Sequence, residues 1–146
     1  MSLLRIATGQ DKEILRAKAV QIPKVTKEVK KLIKDMQKAV KKAEGLGLAA
    51  PQVGKSIRLC LANINGKMTP MINPEVTWKS EETSTTEEGC LSLPEINVDV
   101  TRAVEVIIRY LDEQGKEQER QLHDLDARVV QHEIDHLNGI LIIDYM

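Results

Sequence analysis

The chain has 146 residues, of which 42% are hydrophobic and 29% charged, with two Cys and no Phe. This length suits one compact domain, and the ordinary composition excludes disordered, collagen-like and disulfide-stapled chains. No apolar run approaches the roughly 18 residues that suggest a membrane span. The first residues lack the long apolar stretch of a secretory signal, so we expect one cytoplasmic domain over 1–146, without a membrane partner.

The net charge of -1 conceals an uneven distribution along the chain. Residues 1–60 hold 14 Lys and Arg against 5 Asp and Glu, whereas residues 61–146 hold 7 against 17. Such a distribution fits either a nucleic-acid surface or a solvated basic helix beside an acidic sheet. Aromatic residues make up only 2% of the chain, which argues against sequence-specific reading of nucleic acid by base stacking.

The first half of the chain predicts two helices. A weak pattern suggests a short helix over about residues 11–18. A clearer helix begins after Thr26, a suitable N-cap, and runs to about Ala43, before Gly45 and Gly47 stop it. Its apolar residues recur at helical spacing: Val29, Leu32, Ile33, Met36 and Val40. Its opposite face carries seven lysines: Lys27, Lys30, Lys31, Lys34, Lys38, Lys41 and Lys42.

The middle of the chain reads as antiparallel strands. Residues 57–62 and 67–72 flank Asn65-Gly66, which favours a type I′ hairpin turn. Pro70 makes the second strand an edge or irregular strand. Further strands are predicted over residues 75–79, 103–111 and 116–122, the best being 103–111 because apolar residues alternate along it.

A last helix is predicted from Asp124, as N-cap, to Gly139, just past its end. Apolar residues lie on most sides of it, so we expect it to be buried, with a final strand over residues 140–143. The predicted fold class is α+β, with antiparallel sheets wrapped around this central helix in a single domain.

The strongest chemical motif lies on that helix, in residues 132–136. His132 and His136 are four residues apart and share a helix face, so both imidazoles can bind one metal ion. Glu133 is placed to reach a metal-bound water without being a ligand. An exposed helix with ordinary surface histidines is the alternative, but the flanking apolar residues argue against it.

A catalytic metal site usually has three protein ligands, so a third residue is needed. Cys90 is the clearest candidate, because it lies in a Gly-containing segment and a thiolate suits Zn or Fe(II). A buried small hydrophobe is the other common role of a free Cys, and it fits Cys60 better. His123 lies outside the helical spacing and is expected on the surface.

A third segment runs from Gly45 to Gln52. It follows a helix and not a strand, so it is not a dinucleotide-binding loop. Glycine allows close approach of backbone to a ligand, and Gln52 offers an amide donor that could stabilise an oxyanion. Alone, this segment fits equally well a helix C-cap followed by small packing residues.

Together, the segments 45–52, 88–92 and 131–136 resemble the peptide deformylase family, whose motifs occur in this order. The resemblance implies a hydrolase that removes the formyl group from N-formylmethionyl nascent peptides. It implies that Cys90, His132 and His136 bind a metal with water in the fourth position, and that Glu133 is the general acid/base. The metal is usually Fe(II) in this family, with Zn, Ni or Co as substitutes.

The resemblance also assigns the remaining site residues. Gln52 and the backbone N–H of Leu91 would bind the oxyanion. The backbone of Gly47 and Gly89 would contact the peptide. The methionine pocket would be formed by Leu46, Leu125, Val129 and His132. The usual C-terminal helix of bacterial members is missing after Asp144-Tyr145, and Asp126 replaces a common apolar residue.

Two further expectations concern function and partners. A zinc metallopeptidase is the alternative enzyme, since it shares the His-Glu-x-x-His pattern. It is disfavoured because only 10 residues follow His136, and Asp144 is their sole acid. The lysine face of residues 27–42 suggests weak contact with the RNA of a ribosome, although a plain solvated surface is the simpler interpretation.

Overall fold

The computed structural model describes residues 4–9 and 12–146. Three α-helices and seven strands are described, together with two short 3-10 helices at Ala50–Val53 and Ile142–Tyr145. The helices are α1 (Glu13–Arg16), α2 (Lys27–Lys42) and α3 (Asp124–Leu137). The strands are β1 (Gly47–Ala49), β2 (Leu59–Ile64), β3 (Lys67–Lys79), β4 (Thr83–Cys90), β5 (Leu93–Ala103), β6 (Glu105–Leu111) and β7 (Glu117–His123).

The strands form two antiparallel sheets around α3. The larger sheet has the order β1-β2-β3-β6-β7, and β4 pairs with β5 in a separate two-stranded sheet. Helix α3 packs against β1 and β2 of the larger sheet and against β5 of the smaller one. The predicted α+β class, with antiparallel sheets wrapped around a central helix, is confirmed.

Helix α2 forms as its sequence pattern predicts. The Thr26 Oγ1 accepts a hydrogen bond from the Val29 N–H at 3.2 Å, which caps the first turn. Ile33, Met36 and Val40 are buried beneath the helix, and the lysines on its opposite face are exposed. Among the described residues, no helix is both long enough and apolar enough to cross a membrane.

The predicted type I′ hairpin is also confirmed. Asn65 and Gly66 have φ of 53° and 78°, the left-handed values that this turn requires at both central positions. The predicted segments 67–72 and 75–79, which follow the turn, form one continuous strand, β3. Its Pro70 lies opposite Leu61 of β2, whereas pairing with β6 begins only at Ile72. Proline is tolerated because this part of β3 has a strand on one side only.

Three sequence expectations need correction. Strands β4 and β5 were not predicted, because β4 is mostly exposed and polar and has no apolar alternation. The segment 140–143 is not a strand; its apolar residues pack in the core and lead into a 3-10 helix. The N-cap of α3 is His123, while Asp124 is its first residue, with φ of 51°.

The observed ends of α1 and α3 match the predicted ends only in part. Helix α1 has a single turn inside the predicted 11–18 range, and residue 11 lies outside the described residues. Gly139 follows α3 as expected, with φ of 74°. A Cβ at Gly139 would lie 2.3 Å from the backbone oxygen of Arg16, so only glycine fits this turn.

Candidate metal centre

Helix α3 and the end of β4 bring the three predicted ligands together. The Nε2 atoms of His132 and His136 are 3.3 Å apart, and the Cys90 Sγ lies 3.3 Å from the His136 Nε2. All three ligand atoms lie within 4.8 Å of one another. The β4–β5 register shifts between Gly89 and Cys90, at the point where the thiol reaches α3. The structure therefore juxtaposes residues that are 46 positions apart in the sequence.

The chemistry of this cluster fits a divalent metal. Burial lowers the pKa of His136 to about 3, with a smaller contribution from the neighbouring His132. His136 is therefore neutral at physiological pH, which is the form that binds metals. One thiol and two imidazoles with converging donor atoms match a Cys/His₂ site with a fourth position left for water or substrate.

Glu88 is the residue that organises this centre. It is 8% exposed, and its Oε1 lies 2.9 Å from the His132 Nδ1. An ionised carboxylate only accepts hydrogen bonds, so the Nδ1 carries a proton, and the Nε2 is the ring nitrogen that faces His136. Glu88 thus fixes the orientation of the His132 ring.

Two arginines neutralise the Glu88 carboxylate. Arg102 donates from Nε to Oε2 at 2.7 Å and from Nη2 to Oε1 at 3.0 Å, while Arg128 donates from Nη1 to Oε2 at 2.6 Å. Burial by itself raises the pKa of Glu88, but the hydrogen bonds from His132 and Arg102 outweigh it and lower this pKa to about 2. Glu88 is therefore ionised at neutral pH.

The sequence motif includes Glu88, but sequence reasoning assigned it no role. One observation could have indicated that role. Arg128 lies on a helix that is apolar on most sides, and a buried arginine needs a carboxylate partner. The partner itself could not be identified, because 40 residues separate it from Arg128.

The pKa of Glu133 is shifted in the opposite direction from that of Glu88. Its side chain is buried, and its Oε1 has no hydrogen-bond partner among the described residues. Burial raises the pKa of Glu133 to about 7, although His132 and Arg102 act to lower it. A carboxyl group with this pKa can both accept and donate a proton near neutral pH.

Gly47 is required by the space next to Glu133. A Cβ at Gly47 would lie 2.5 Å from the Glu133 Oε2 and 2.8 Å from the backbone oxygen of Leu61. The missing side chain at Gly47 therefore leaves room for the carboxylate of α3, while its approach to a ligand stays a prediction.

The amide of Gln52 is held in one orientation. Its Oε1 accepts a hydrogen bond from the Ala49 N–H at 2.9 Å, and its Nε2 donates to the Ser92 Oγ at 3.0 Å. The Nε2 also lies 3.9 Å from the Cys90 Sγ. The donor end of the side chain therefore faces the three-ligand cluster.

A cavity of about 400 Å³ opens next to the cluster. It is lined by most of the predicted site residues: Leu46, Gly47, Gln52, Gly89, Cys90, Leu91, Leu125, Val129, His132 and Glu133. Glu88 and Arg128, which were not predicted, also line it. Leu46 and Leu125 are 47% and 57% exposed. The cavity thus connects the cluster with the surface between two apolar side chains.

The remaining candidates lie elsewhere. Cys60 is fully buried in the core, as predicted, and the His123 side chain is 58% exposed on the surface. Asp144, the only acid after His136, pairs with Arg16 at 2.7 Å and does not join the cluster. Among the described residues, Cys90 and not Asp144 joins the two histidines, which does not support the metallopeptidase alternative.

A histidine pair, a thiol and a buried carboxyl group beside a cavity are typical of a metallohydrolase. The polypeptide deformylase family model matches residues 3–146. The peptide deformylase of Pseudothermotoga lettingae is 47% identical over 131 residues, covering 90% of this chain and 76% of that protein.

Solved structures agree with the sequence comparison. The crystal structure of peptide deformylase from Thermotoga maritima superposes with a TM-score of 0.96 at 40% identity, covering 100% of this chain and 99% of that chain. A probable peptide deformylase from Synechococcus phage S-SSM7 gives 0.92 at 40% identity, covering 98% and 99%. The chain belongs to the peptide deformylase family.

The Glu88 cluster makes a prediction about stability. Glu88→Ala leaves the two arginines buried without their shared counter-charge, so we expect a loss of about 3–5 kcal/mol in the free energy of unfolding at pH 7. Urea denaturation of the metal-free protein measures this loss. Glu87→Ala removes the exposed neighbouring carboxylate and is expected to change stability by less than about 0.5 kcal/mol.

Low pH should abolish the contribution of Glu88 to the free energy of unfolding. Its pKa is about 2 in the folded protein against 4.5 for an unperturbed glutamate, so its stabilisation is complete above about pH 4.5. The difference between wild type and Glu88→Ala should therefore shrink as the pH falls from 4.5 towards 2. Equal losses for the two alanine variants at pH 7 would contradict this account of the cluster.

Proposed function

We propose that this chain removes the N-formyl group from the N-terminal formylmethionine of nascent polypeptides and releases formate. The reaction adds water across the formyl C–N bond and frees the amine of methionine. The observation that supports it most directly is the buried Glu133, which lines the same cavity as Cys90 and His132. Family membership agrees with this substrate, and we place the protein in the cytoplasm, where translation occurs.

We assign the metal to Cys90, His132 and His136. When bound, the metal supplies Lewis acidity towards the formyl oxygen and a water molecule. Fe(II) is the metal we propose, because a mixed thiolate and imidazole set suits it; Zn, Ni or Co can occupy the same ligands. Glu88 supports this set by accepting the His132 Nδ1–H, which fixes the ring with its Nε2 towards His136.

Glu133 is the proposed general acid/base. Its buried carboxylate accepts a proton from the attacking water and later gives it to the nitrogen of the leaving amine. With a pKa of about 7, the Glu133 carboxyl can both accept and release this proton at neutral pH. Gly47 leaves the Oε2 uncovered by any side chain at that position.

Gln52 and Leu91 are proposed to stabilise the oxyanion. Charge develops on the formyl oxygen as water adds, and donors fixed in advance lower the cost of that charge. The Gln52 Nε2 is fixed by the bonds of its amide to Ala49 and Ser92. The backbone N–H of Leu91 follows the ligand Cys90 directly and is the second proposed donor.

The substrate is proposed to bind along the cavity. The backbone of Gly47 and Gly89 contacts the peptide, since both positions lack side chains at the cavity wall. Leu46, Leu125 and Val129 receive the apolar part of the methionine side chain. Burying this side chain contributes about 1.5–3 kcal/mol, which supports selection for methionine.

Glu133→Gln separates metal binding from chemistry. The amide keeps the size and polarity of the side chain but cannot transfer a proton, so we expect formate release from a formyl-Met peptide to fall about 10²–10⁴-fold. Metal analysis of anaerobically purified protein should find iron at equal occupancy in the variant and the wild type.

The stability of the folded, metal-free protein serves as the control for Glu133→Gln. Gln at a buried position with an unpartnered carboxylate oxygen should leave the stability of the metal-free protein unchanged or higher at pH 8. Near-normal turnover by Glu133→Gln would remove Glu133 from the mechanism. Zinc at full occupancy, with a rate equal to that of the iron form, would contradict the choice of Fe(II).

A weak contact with the ribosome is a second proposal, supported by the lysine face of α2. All seven lysines of this face are exposed. Within this face, an ion pair is described for Lys31 alone, with Asp35 at 3.5 Å, and the Lys31 side chain is 73% exposed. Exposed, largely unpaired lysines bind phosphate groups by releasing counterions, without sequence preference.

Co-sedimentation with ribosomes tests this contact. We expect binding at low salt that weakens steeply as salt rises, and that is lost in the Lys31→Glu/Lys34→Glu/Lys38→Glu variant. Turnover of a free formyl-Met peptide should not change, because this face is opposite the buried side of α2. If binding is unchanged by the triple substitution, or is absent at low salt, the lysines form an ordinary solvated surface.

A further inference from the structure

Arg128 is a charged residue on the wall of the cavity that receives the first side chain of the substrate. Helix α3 places it beside Leu125 and Val129, and all three line the cavity. Its side chain is only 10% exposed. A buried guanidinium in a mostly apolar pocket is costly, so its hydrogen bonds indicate what it does there.

The two Nη atoms of Arg128 are fully used on the side of the β4–β5 sheet. Nη1 donates to the Glu88 Oε2 at 2.6 Å and to the backbone oxygen of Val100 at 2.9 Å. Nη2 donates to the backbone oxygen of Ser84 at 2.7 Å and to the Ser84 Oγ at 3.1 Å. Within the described part of the chain, the Nε–H has no hydrogen-bond acceptor.

Arg102 and Arg128 share the carboxylate of Glu88, and Arg102 also pairs with Asp135 at 2.9 Å. Arg128 reaches Glu88 through Nη1 alone, so its Nε–H takes no part in this ion pair. Its guanidinium is fixed by four bonds, so its remaining donor is oriented before any ligand enters the cavity.

We propose that Arg128 is a specificity-determining residue that allows the cavity to accept N-formylmethionine sulfoxide as well as N-formylmethionine. The Nε–H donates to the sulfoxide oxygen, a far stronger acceptor than the thioether sulfur. A purely apolar pocket would reject this oxygen, because burying an unpaired polar group is unfavourable. The inference rests on the proposed function.

The reaction itself is unchanged by the oxidised side chain. The water oxygen bonds to the formyl carbon, the formyl C–N bond breaks, and the departing nitrogen takes a proton. Formate and a peptide that begins with methionine sulfoxide are the products. Sulfur stays at the same oxidation level, so the step needs no oxidant or reductant.

Steady-state kinetics with two peptides tests the proposal. Formyl-Met-Ala-Ser and its sulfoxide counterpart are compared in the metal-loaded protein. For the wild type, we expect kcat/KM values that differ by less than about tenfold. In Arg128→Met, the ratio of kcat/KM for the sulfoxide peptide to kcat/KM for the formyl-Met peptide should fall about 10–100-fold, since a bond from a charged donor to the sulfoxide oxygen is removed.

Two further variants separate substrate contact from packing. Ser84→Ala removes an acceptor on the far side of the guanidinium but keeps Arg128, so the ratio of the two kcat/KM values should not change. Arg128→Lys keeps a cation near Glu88 but loses the Nε–H, so it should lose sulfoxide turnover as Arg128→Met does. If Arg128→Met fails to fold, Arg128→Lys is compared with the wild type instead.

Binding of the deformylated products gives a readout independent of turnover. Calorimetry should find that Arg128→Met, or Arg128→Lys, weakens the sulfoxide form of Met-Ala-Ser more than Met-Ala-Ser itself. An unchanged ratio of affinities and of kcat/KM values in both variants would overturn the proposal. If the wild type released no formate from formyl-Met-Ala-Ser, the proposed function would fail instead, which is a distinguishable result.

Discussion

The carboxylate of Glu88 is the constraint on which the rest of the site depends. It is buried between β4 and α3, where Arg102, Arg128 and His132 all donate to it. These bonds join the two-stranded sheet, which supplies Cys90, to the helix that supplies both histidines. Because a buried charge without partners costs several kcal/mol, the two elements are held in one relative position. A thiol from one sheet and two imidazoles from a helix can then share a metal.

The same arrangement gives two nearby glutamates opposite properties. Glu88 accepts hydrogen bonds from His132 and Arg102 and keeps a pKa of about 2, whereas Glu133 is buried with an unpartnered oxygen and has a pKa of about 7. Pairs of titratable groups whose environments separate their pKa values are typical of acid/base sites. One carboxylate thus remains a fixed charge that orients a ligand, and the other is free to exchange a proton. Local burial and pairing, and not residue type, decide which glutamate does which.

Much of this could be predicted from the sequence, because the patterns concerned are local. The apolar spacing and Thr26 define α2, Asn65-Gly66 defines a hairpin, and the histidine spacing places two ligands on one helix face. Strand β4 could not be predicted, since it is mostly polar and exposed and is stabilised by pairing with β5. In β5, Val98 and Val100 alternate with exposed residues, a local signal that the sequence prediction missed. The apolar run at 140–143 resembles a strand, yet burial in the core suits a 3-10 turn equally well. The partners of Glu88 are 14 to 44 residues distant, so only the fold reveals them.

Peptide selectivity of the metal-loaded protein tests the central claim most directly. Three peptides of one sequence, with a formyl, an acetyl or a free amino terminus on methionine, are incubated separately, and formate, acetate and internal cleavage products are measured. The carboxyl of Glu133, the proposed acid/base, is buried and lines the cavity that is proposed to receive these peptides. The account predicts formate from the formyl peptide and no hydrolysis of the other two. Cleavage of internal peptide bonds, or no formate release by protein with full metal occupancy, would contradict it.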